Sequence, residues 1–180
     1  MNINNLYQSV DYKHNHKVSQ ISAILAKKLG YPPFEQGVIE QAALYHDLGK
    51  DMIPSQILNK PGELTPEEFE IVKCHVSAGH QRLMDAAGFL KIAAITAREH
   101  HEKIDGSGYI GLSGDEIHPY SKLISVADVF DALLSVRVYK QAWALNEVQS
   151  FFYEQSGKQF ESKVVQALMI ALDDVMYLYA

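Results

Sequence analysis

Apolar residues recur at helical spacing along nearly the whole chain. The first apolar stripe stops at Gly30, a residue type often found just past a helix end. It consists of Val18, Ile21, Leu25 and Leu29. The "YPPF" segment at residues 31–34 is then typical of a helix start, and a second helix is predicted to run to His46 and to close near Gly49.

The segment "TPEE" at residues 65–68 is a stronger start signal. Thr65 is the predicted N-cap, Pro66 lies in the first turn, and Glu68 completes a capping box. Four more helices are predicted, over about residues 90–101, from Pro119 to about Leu134, over about 146–155 and over about 161–178. Because no segment alternates apolar and polar residues between turn signals, the sequence predicts an all-α bundle of about seven helices.

Length and composition narrow the class of protein. The 180 residues fit one domain, residues 1–180, with residues 1–5 expected to form a flexible tail. Apolar residues make up 47% and charged residues 21%, which is ordinary for a folded globular chain. No apolar run is long enough to span a membrane, and no signal-peptide centre is present, so we expect a cytoplasmic protein. A net charge of −6 argues against DNA or RNA as a partner.

One irregular segment, from about Ile104 to His118, is long for a compact domain. It directly follows the adjacent pair His100 and His101. Its four glycines are Gly106, Gly108, Gly111 and Gly114. Loops of this length inside compact domains are usually functional or disordered, so this segment is predicted to serve the function of the protein.

Histidine and aspartate side chains recur on the apolar faces of the predicted helices. They are His14, His46, His75, His101 and Asp128, with Asp47 beside His46 and Asp131 after Asp128. A lone histidine on such a face is usually a hydrogen-bonded core residue. Five such positions together are harder to explain, because each unpaired buried polar group costs on the order of 1 to 3 kcal/mol. The polar groups of these side chains would find partners most economically if all of them bound a shared cation.

The chemical types of these candidate ligands restrict the identity of the cation. The chain has one cysteine, Cys74, and so lacks a paired-cysteine zinc motif. Imidazole and carboxylate suit iron, manganese, nickel or zinc better than magnesium or calcium. These seven candidate ligands are too many for one tetrahedral ion and predict two metals, which Asp47 can bridge. Such a pair would hold a bridging water for attack on a phosphoester. Lys50 is placed to meet a phosphate oxygen, although a surface lysine is the commoner outcome of this spacing.

Four sequence blocks, in order, resemble the HD-GYP family, a branch of the HD phosphohydrolases. They read "HDLGK", "IPSQILNKPGELTPEEFEIVKCHVSAG", "HHEKIDGSGY" and "SVADVFDALLSVRVYKQA". The resemblance implies an all-α fold with a central metal site and hydrolysis of cyclic di-GMP to linear pGpG or on to GMP. It also implies two divalent metal ions, iron or manganese, with nickel or zinc as alternatives.

The same resemblance assigns roles by position. The implied metal ligands are His14, His46, Asp47, His75, His100, His101 and Asp128. Asp47 would bridge the metals and, with Lys50, would be catalytic. The implied substrate-binding residues are Lys50, Asp105, Gly108, Tyr109, Arg137 and Lys140. The glycines of the loop would let the backbone approach a guanine dinucleotide.

The chain departs from the family pattern at two positions. Ile110 stands where the Gly-Tyr-Pro pattern has its proline, and this change frees a backbone N–H and relaxes a fixed φ. Val10 stands where some members carry a glutamate that resembles a ligand of a third metal. We therefore expect two metals and not three.

Three other interpretations of the same residues stay open. The first is an HD phosphohydrolase that acts on another nucleotide, such as a hybrid cyclic dinucleotide. The second is a non-catalytic module that binds cyclic di-GMP or a protein, and the third is di-iron redox chemistry. Candidate protein partners are a diguanylate cyclase of the GGDEF type or another signalling protein.

The remaining aromatic and histidine residues are expected to have structural roles. The aromatic residues near the C-terminus should pack the last helices or, alternatively, form a homodimer surface. They are Trp143, Phe151, Phe152, Phe160, Tyr177 and Tyr179. His16 and His118 are expected to be exposed, and His80 should lie off the ligand face.

Overall fold

The computed structural model describes residues 12–84, 90–135 and 141–180, and the regular structure within these ranges is helical. The nine α-helices described there are α1 (Tyr12–Lys28), α2 (Pro33–Leu44), α3 (Ser55–Leu58), α4 (Pro66–Met84), α5 (Leu90–Glu99), α6 (Pro119–Leu134), α7 (Leu145–Gln155), α8 (Ser162–Ile170) and α9 (Leu172–Met176). Short 3-10 turns cover Leu48–Met52, Gly114–Glu116 and Tyr177–Tyr179. The prediction of an all-α fold is confirmed, with the short helices α3 and α9 in addition to the seven expected.

The predicted start and stop signals form the hydrogen bonds that they require. Gly30 has a φ of 81°, and the next amide, Tyr31 N–H, donates to Ala26 O at 3.0 Å, as in a Schellman motif. At the start of α4 the Glu68 N–H donates to Thr65 Oγ1 at 3.2 Å, and the Thr65 N–H donates to Glu68 Oε2 at 2.8 Å. The capping box predicted from "TPEE" is therefore confirmed.

Three predicted helix boundaries were wrong. α2 ends at Leu44, although it was predicted to run to His46. The N–H groups of Tyr45 and His46 donate to carbonyl oxygens three residues earlier, as in a 3-10 helix. α5 ends at Glu99, so His100 and His101 lie in the turn that follows. The predicted C-terminal helix is interrupted at Ala171, whose φ of −94° and ψ of 10° separate α8 from α9.

The helix packing brings the middle of the chain against the N-terminal helices. α1 packs against α2 and α6, α2 packs against α5, and α4 packs against α5 and the 3-10 turn Leu48–Met52. α7 and α8 pack against α6, where the rings of Phe130, Phe152 and Phe160 are buried. Burial of these rings stabilises the C-terminal half. Tyr177 was expected to pack there too, but its side chain is 82% exposed.

Some predictions concern parts of the chain that the structure does not describe. The predicted tail at residues 1–5 and the departure at Val10 lie outside the described ranges, as do Arg137 and Lys140. A single domain over residues 1–180 stays a prediction. Among the described helices, none combines the length and the apolar character that crossing a bilayer requires.

Candidate metal centre

A close approach of two backbones places the histidine–aspartate pair beside α4. A Cβ atom on Gly49 would lie 2.0 Å from the carbonyl oxygen of His75 and 2.5 Å from the backbone nitrogen of Gly79. No side chain fits at such distances, so glycine is required for the 3-10 turn to lie against α4 at this point. The contact brings His46 and Asp47 next to His75.

Seven side chains converge in two adjoining groups. The first ligand set consists of Asp47, His75, His100 and His101, and the second ligand set consists of His14, His46 and Asp128. Within each set, one donor atom from each residue lies within 4.8 Å of the others. The rings of His46 and His100, one from each set, are 5.0 Å apart. The structure thus brings all seven predicted ligands together.

Main-chain carbonyl groups orient three of these histidines. Nδ1 lies 2.6 Å from a carbonyl oxygen in His46, 2.7 Å in His75 and 3.0 Å in His100, and each carbonyl belongs to the residue three positions earlier. A carbonyl oxygen only accepts, so each Nδ1 carries a hydrogen, and in the neutral form of the ring each Nε2 keeps a lone pair. This is the tautomer in which imidazole binds a metal through Nε2.

The lone pairs of these side chains face one another. Nε2 of His75 and Nε2 of His100 are 3.4 Å apart, although neither carries a hydrogen in this tautomer. Nε2 of His46 and Oδ1 of Asp47 are buried and have no hydrogen-bond partner. Burying acceptors side by side without donors is unfavourable, and a shared cation removes that cost. The donor set therefore fits a divalent metal ion.

The two carboxylate oxygens of Asp47 face different ligand sets. Oδ1 lies 3.6 Å from Nε2 of both His75 and His100, whereas Oδ2 lies 3.4 Å from Nε2 of His46. Lys50 Nζ also donates to Oδ2, at 2.5 Å. A carboxylate that bridges two ions offers one oxygen to each, so this orientation supports the predicted bridging position of Asp47.

Burial and neighbouring charges set the protonation states of the first ligand set. Burial, reinforced by His100, lowers the pKa of His75 to about 4, and the same two causes lower the pKa of His101 well below its usual value. Both rings are therefore neutral near pH 7, as metal binding requires. Burial alone would raise the pKa of Asp47, but the Lys50 ammonium and a neighbouring imidazole hold that pKa well below its usual range. Asp47 is thus ionised.

A side-chain carboxylate, and not a carbonyl, orients His14. Its Nδ1 lies 2.6 Å from Asp131 Oδ2, and its Nε2 lies 3.0 Å from Asp128 Oδ1. Burial alone would lower the pKa of His14, but the hydrogen bonds with Asp128 and Asp131 raise the pKa to about 9. A metal ion bound at Nε2 would therefore displace the proton that His14 shares with Asp128. Asp131 Oδ1 in turn accepts a hydrogen bond from the Tyr179 hydroxyl at 2.8 Å. Sequence reasoning placed Asp131 on an inward face without a role, and it missed the polar contact of Tyr179.

Tyr109 lies against the first ligand set. Its ring centre is 4.6 Å from that of His101, with the two planes tilted by 37°. Burial, followed by the charges of Asp128 and Asp47, raises the pKa of Tyr109 to about 12. The hydroxyl therefore keeps its proton near pH 7 and can donate a hydrogen bond. The predicted position of Tyr109 in the wall of the site agrees with this contact.

A buried glutamate that sequence reasoning missed holds the irregular loop. Glu102 is 3% exposed, and its Oε1 accepts from the Ile110 N–H at 2.9 Å while its Oε2 accepts from the Leu112 N–H at 2.7 Å. The donor at position 110 exists because isoleucine replaces the proline of the family pattern. A Cβ atom on Gly108 would lie 2.6 Å from Cα of Glu102, so this glycine is required by packing inside the loop. We name this arrangement the Glu102 clamp.

The other predicted substrate-binding residues are less well defined by contacts. Asp105 is exposed, and its Oδ1 accepts hydrogen bonds from the N–H and the hydroxyl of Ser107 at 2.9 and 2.7 Å. This is a turn-forming role, and contact of Asp105 with a substrate stays a prediction. Arg137 and Lys140 lie outside the described residues, so their predicted contacts with phosphate are untested.

Three histidines lie outside both ligand sets. His16 is exposed, as predicted, and His80 lies off the ligand face, with Nδ1 3.0 Å from the carbonyl oxygen of Ala94. The expectation that His118 is exposed was wrong. His118 is half-buried because it caps the start of α6, where its Nδ1 accepts from the Tyr120 N–H at 3.2 Å.

Comparison with known proteins identifies the family. The family model described as "HD domain" matches residues 1–164. The chain belongs to the HD domain family. The cyclic di-GMP phosphodiesterase response regulator RpfG of Xanthomonas campestris pv. campestris is 37% identical over 175 residues, which cover 93% of this chain and 46% of that protein. The 3'3'-cGAMP-specific phosphodiesterase 2 of Vibrio cholerae is 36% identical over 169 residues, which cover 93% of this chain and 32% of that protein.

A solved structure agrees with this assignment. Bd1817, a HDG"Y"P protein from Bdellovibrio bacteriovorus, matches this HD domain with a TM-score of 0.71 and 25% identity, over 90% of this chain and 52% of that chain. The resemblance to the HD-GYP branch is thereby confirmed. The HD domain described here spans less than half of the two curated relatives and about half of the solved chain.

Proposed function

We propose that this HD domain is a metal-dependent phosphodiesterase that hydrolyses cyclic di-GMP to linear pGpG, to GMP or to both. The observation on which the proposal depends is the pair of adjoining ligand sets, in which Nε2 of His46 and Oδ1 of Asp47 are buried without a hydrogen-bond partner. The relative named as a cyclic di-GMP phosphodiesterase, at 37% identity, supports the choice of substrate.

The seven side chains would hold two divalent ions, one in each ligand set, with Asp47 shared between them. Imidazole and carboxylate ligands favour iron or manganese, with nickel or zinc as alternatives. When bound, two such ions supply an activated water and stabilise the charge that develops during displacement at phosphorus. The identity of the ions is part of the proposal.

The residues of the chain itself prepare the site for a phosphodiester. Lys50 Nζ, 2.5 Å from Asp47 Oδ2, places a positive charge where a non-bridging phosphate oxygen can approach the shared carboxylate. Tyr109 packs on His101, excludes water from that side and keeps a hydroxyl proton for donation to the substrate. Arg137 and Lys140 would bind further phosphate oxygens.

A hybrid cyclic dinucleotide is the second candidate substrate. The relative from Vibrio cholerae that is 36% identical is named for specificity toward 3'3'-cGAMP, and it covers the same share of this chain as the cyclic di-GMP relative. The two substrates share the cyclic phosphodiester and differ in one base. The ligand sets act on the phosphodiester and so do not distinguish between them.

The test is hydrolysis by protein purified without oxygen, loaded with iron or manganese and assayed for metal content. Cyclic di-GMP, 3'3'-cGAMP and a linear dinucleotide are supplied in parallel, and products are separated by chromatography. We expect cleavage of a cyclic dinucleotide that disappears in Asp47→Ala together with the bound metal. Asp51→Asn is the matched control, because Asp51 is exposed on the same 3-10 turn and belongs to neither ligand set.

Two results would contradict the proposal in different ways. If the metal-loaded protein binds a cyclic dinucleotide and never cleaves it, the domain is a binding module. If the reduced protein consumes oxygen and leaves every nucleotide intact, the site performs redox chemistry. A cytoplasmic location, a signalling partner such as a GGDEF diguanylate cyclase and a homodimer stay predictions.

A further inference from the structure

Aromatic rings extend from the first ligand set to the surface of α4. The Tyr109 ring lies 4.6 Å from the His101 ring, and the Phe69 ring meets the Tyr109 ring edge-on at 5.8 Å, with an interplanar angle of 87°. Phe69 is 40% exposed. A series of three neighbouring rings therefore leads from a candidate metal ligand to solvent.

The place of Phe69 in the fold does not explain why this residue is aromatic. Its side chain belongs neither to the main hydrophobic core nor to the partly buried residues that pack against that core. Single exposed apolar residues are common on protein surfaces and need no function. Phe69 differs from such residues because its neighbour is Tyr109, which itself lies against the first ligand set.

A cation lies beside the same two rings. Lys73 follows Phe69 by one helical turn, and its Nζ is 5.2 Å from the centre of the Phe69 ring and 5.7 Å from that of Tyr109. The same Nζ donates to Glu70 Oε1 at 2.6 Å. An exposed ion pair of this kind is weak, so Lys73 can exchange Glu70 for a phosphate oxygen at little cost.

The chemistry of a cyclic dinucleotide matches this arrangement. When its phosphodiester lies at the two ligand sets, its bases must lie further out, because they are attached through the sugars. Aromatic side chains bind bases by stacking, and this mode tolerates different bases because every base has a π-face. A lysine whose ammonium lies over these rings adds attraction for the anionic backbone.

We propose that Phe69, Lys73 and Tyr109 form a platform in which one nucleobase of the cyclic dinucleotide stacks on the Phe69 ring, with the perpendicular Tyr109 ring at its side. Phe69 provides the outer ring, and Lys73 supplies a positive charge over one face of that ring. The inference rests on the proposed function and extends it, because it names binding residues on α4 that the motif comparison did not assign. We call these three residues the base platform.

The first experiment compares Phe69→Ala with Phe69→Trp in the metal-loaded protein. Hydrolysis of cyclic di-GMP gives KM and kcat, and calorimetry gives Kd for the bis-phosphorothioate analogue, which resists hydrolysis. We expect Phe69→Ala to raise KM and Kd by about tenfold while kcat stays within about twofold, and Phe69→Trp to retain binding. Phe34→Ala is the control, since Phe34 is 82% exposed on α2 and belongs to neither ligand set.

The second experiment tests Lys73 with a matched pair of variants. Lys73→Gln and Glu70→Gln both remove the same ion pair, but only Lys73→Gln removes the cation beside the rings. We expect Lys73→Gln to raise Kd for the analogue by about threefold and Glu70→Gln to leave Kd unchanged or lower it. Equal effects of the two variants would show that the ion pair matters only for the helix, and would remove Lys73 from the platform.

The outcomes separate the base platform from the proposed hydrolysis. A Kd of Phe69→Ala within twofold of that of the unchanged protein overturns the platform, whatever the rates are. Failure of the unchanged protein to bind the analogue overturns it as well. If the unchanged protein binds the analogue but cleaves no nucleotide, the proposed function fails, while weaker binding by Phe69→Ala still supports the platform. Thermal unfolding of each variant checks that the fold is retained.

Discussion

The two ligand sets differ in what orients one of their histidines. In the first set, main-chain carbonyls orient His75 and His100. The second set holds His46 in the same way, but its other histidine, His14, is oriented by Asp131, which is itself held by Tyr179. A carbonyl contact follows from the helical backbone and survives changes of side chain. The hydrogen bonds between Tyr179 and Asp131 and between Asp131 and His14 can instead be weakened by changing one side chain at a time. The second set is therefore the half of the centre that mutation can adjust gradually.

The largest effect is expected from Asp47→Ala, which removes a residue whose two carboxylate oxygens face different sets. Both ions should lose a ligand, so metal content and hydrolysis should fall to the level of protein stripped by a chelator. Metal analysis and a hydrolysis assay on the same sample measure this. Retention of one tightly bound ion would show that one set closes without Asp47, and that the shared position is wrong.

The next largest effects are expected from His75→Ala and His14→Ala. Each variant removes a ligand from one set only, so together they compare the two sets directly. Each variant should reduce metal content from about two ions per chain to about one, because each removes a ligand from one set only. Elemental analysis of protein purified in parallel gives the ratio. Loss of both ions from either variant would mean that the two sets bind metal only as a unit, and the comparison between them would fail.

A smaller effect is expected from Asp131→Asn, which keeps a side chain of similar size but removes the charge that orients His14. Metal affinity of the second set should fall by about 10- to 100-fold, the usual range for a residue that supports a metal ligand. Competition with a chromophoric chelator measures the affinity of each site. The first set should keep its affinity, and a parallel loss there would contradict the separate orientation of the two sets.

The smallest effect is expected from Tyr179→Phe, which removes only the hydroxyl that donates to Asp131. A single lost hydrogen bond of about 1 kcal/mol corresponds to about a fivefold weaker second site. The same competition assay detects this change. Tyr177→Phe is the matched control, because Tyr177 is 82% exposed and should leave both affinities unchanged.

The sequence predicts those parts of the structure that depend on nearby residues. The stop at Gly30 and the capping box of Thr65 and Glu68 involve residues at most five positions apart, and both form as expected. The inward placement of His14 and His75 follows from helical periodicity. Local spacing thus gave the all-α fold and most of the candidate ligands, whereas His100 was assigned as a ligand from the family resemblance.

What could not be predicted depends on contacts between distant parts of the chain. Tyr179 and Asp131 are 48 positions apart, so no spacing rule joins them. Glu102 directly follows two candidate ligands, yet its own role appears only when the loop folds back on it. The early end of α2 at Leu44 was missed because an apolar pattern continues through the turn that replaces the helix.

The Glu102 clamp has a consequence for altering the protein by design. Because the carboxylate holds the main-chain N–H groups of Ile110 and Leu112, it does not depend on which side chains the loop displays there. A randomised library at these two positions should therefore keep the loop anchored, with proline at position 110 excluded because it removes a donor. The wall beside Tyr109 can thus vary in surface chemistry while its backbone path stays the same.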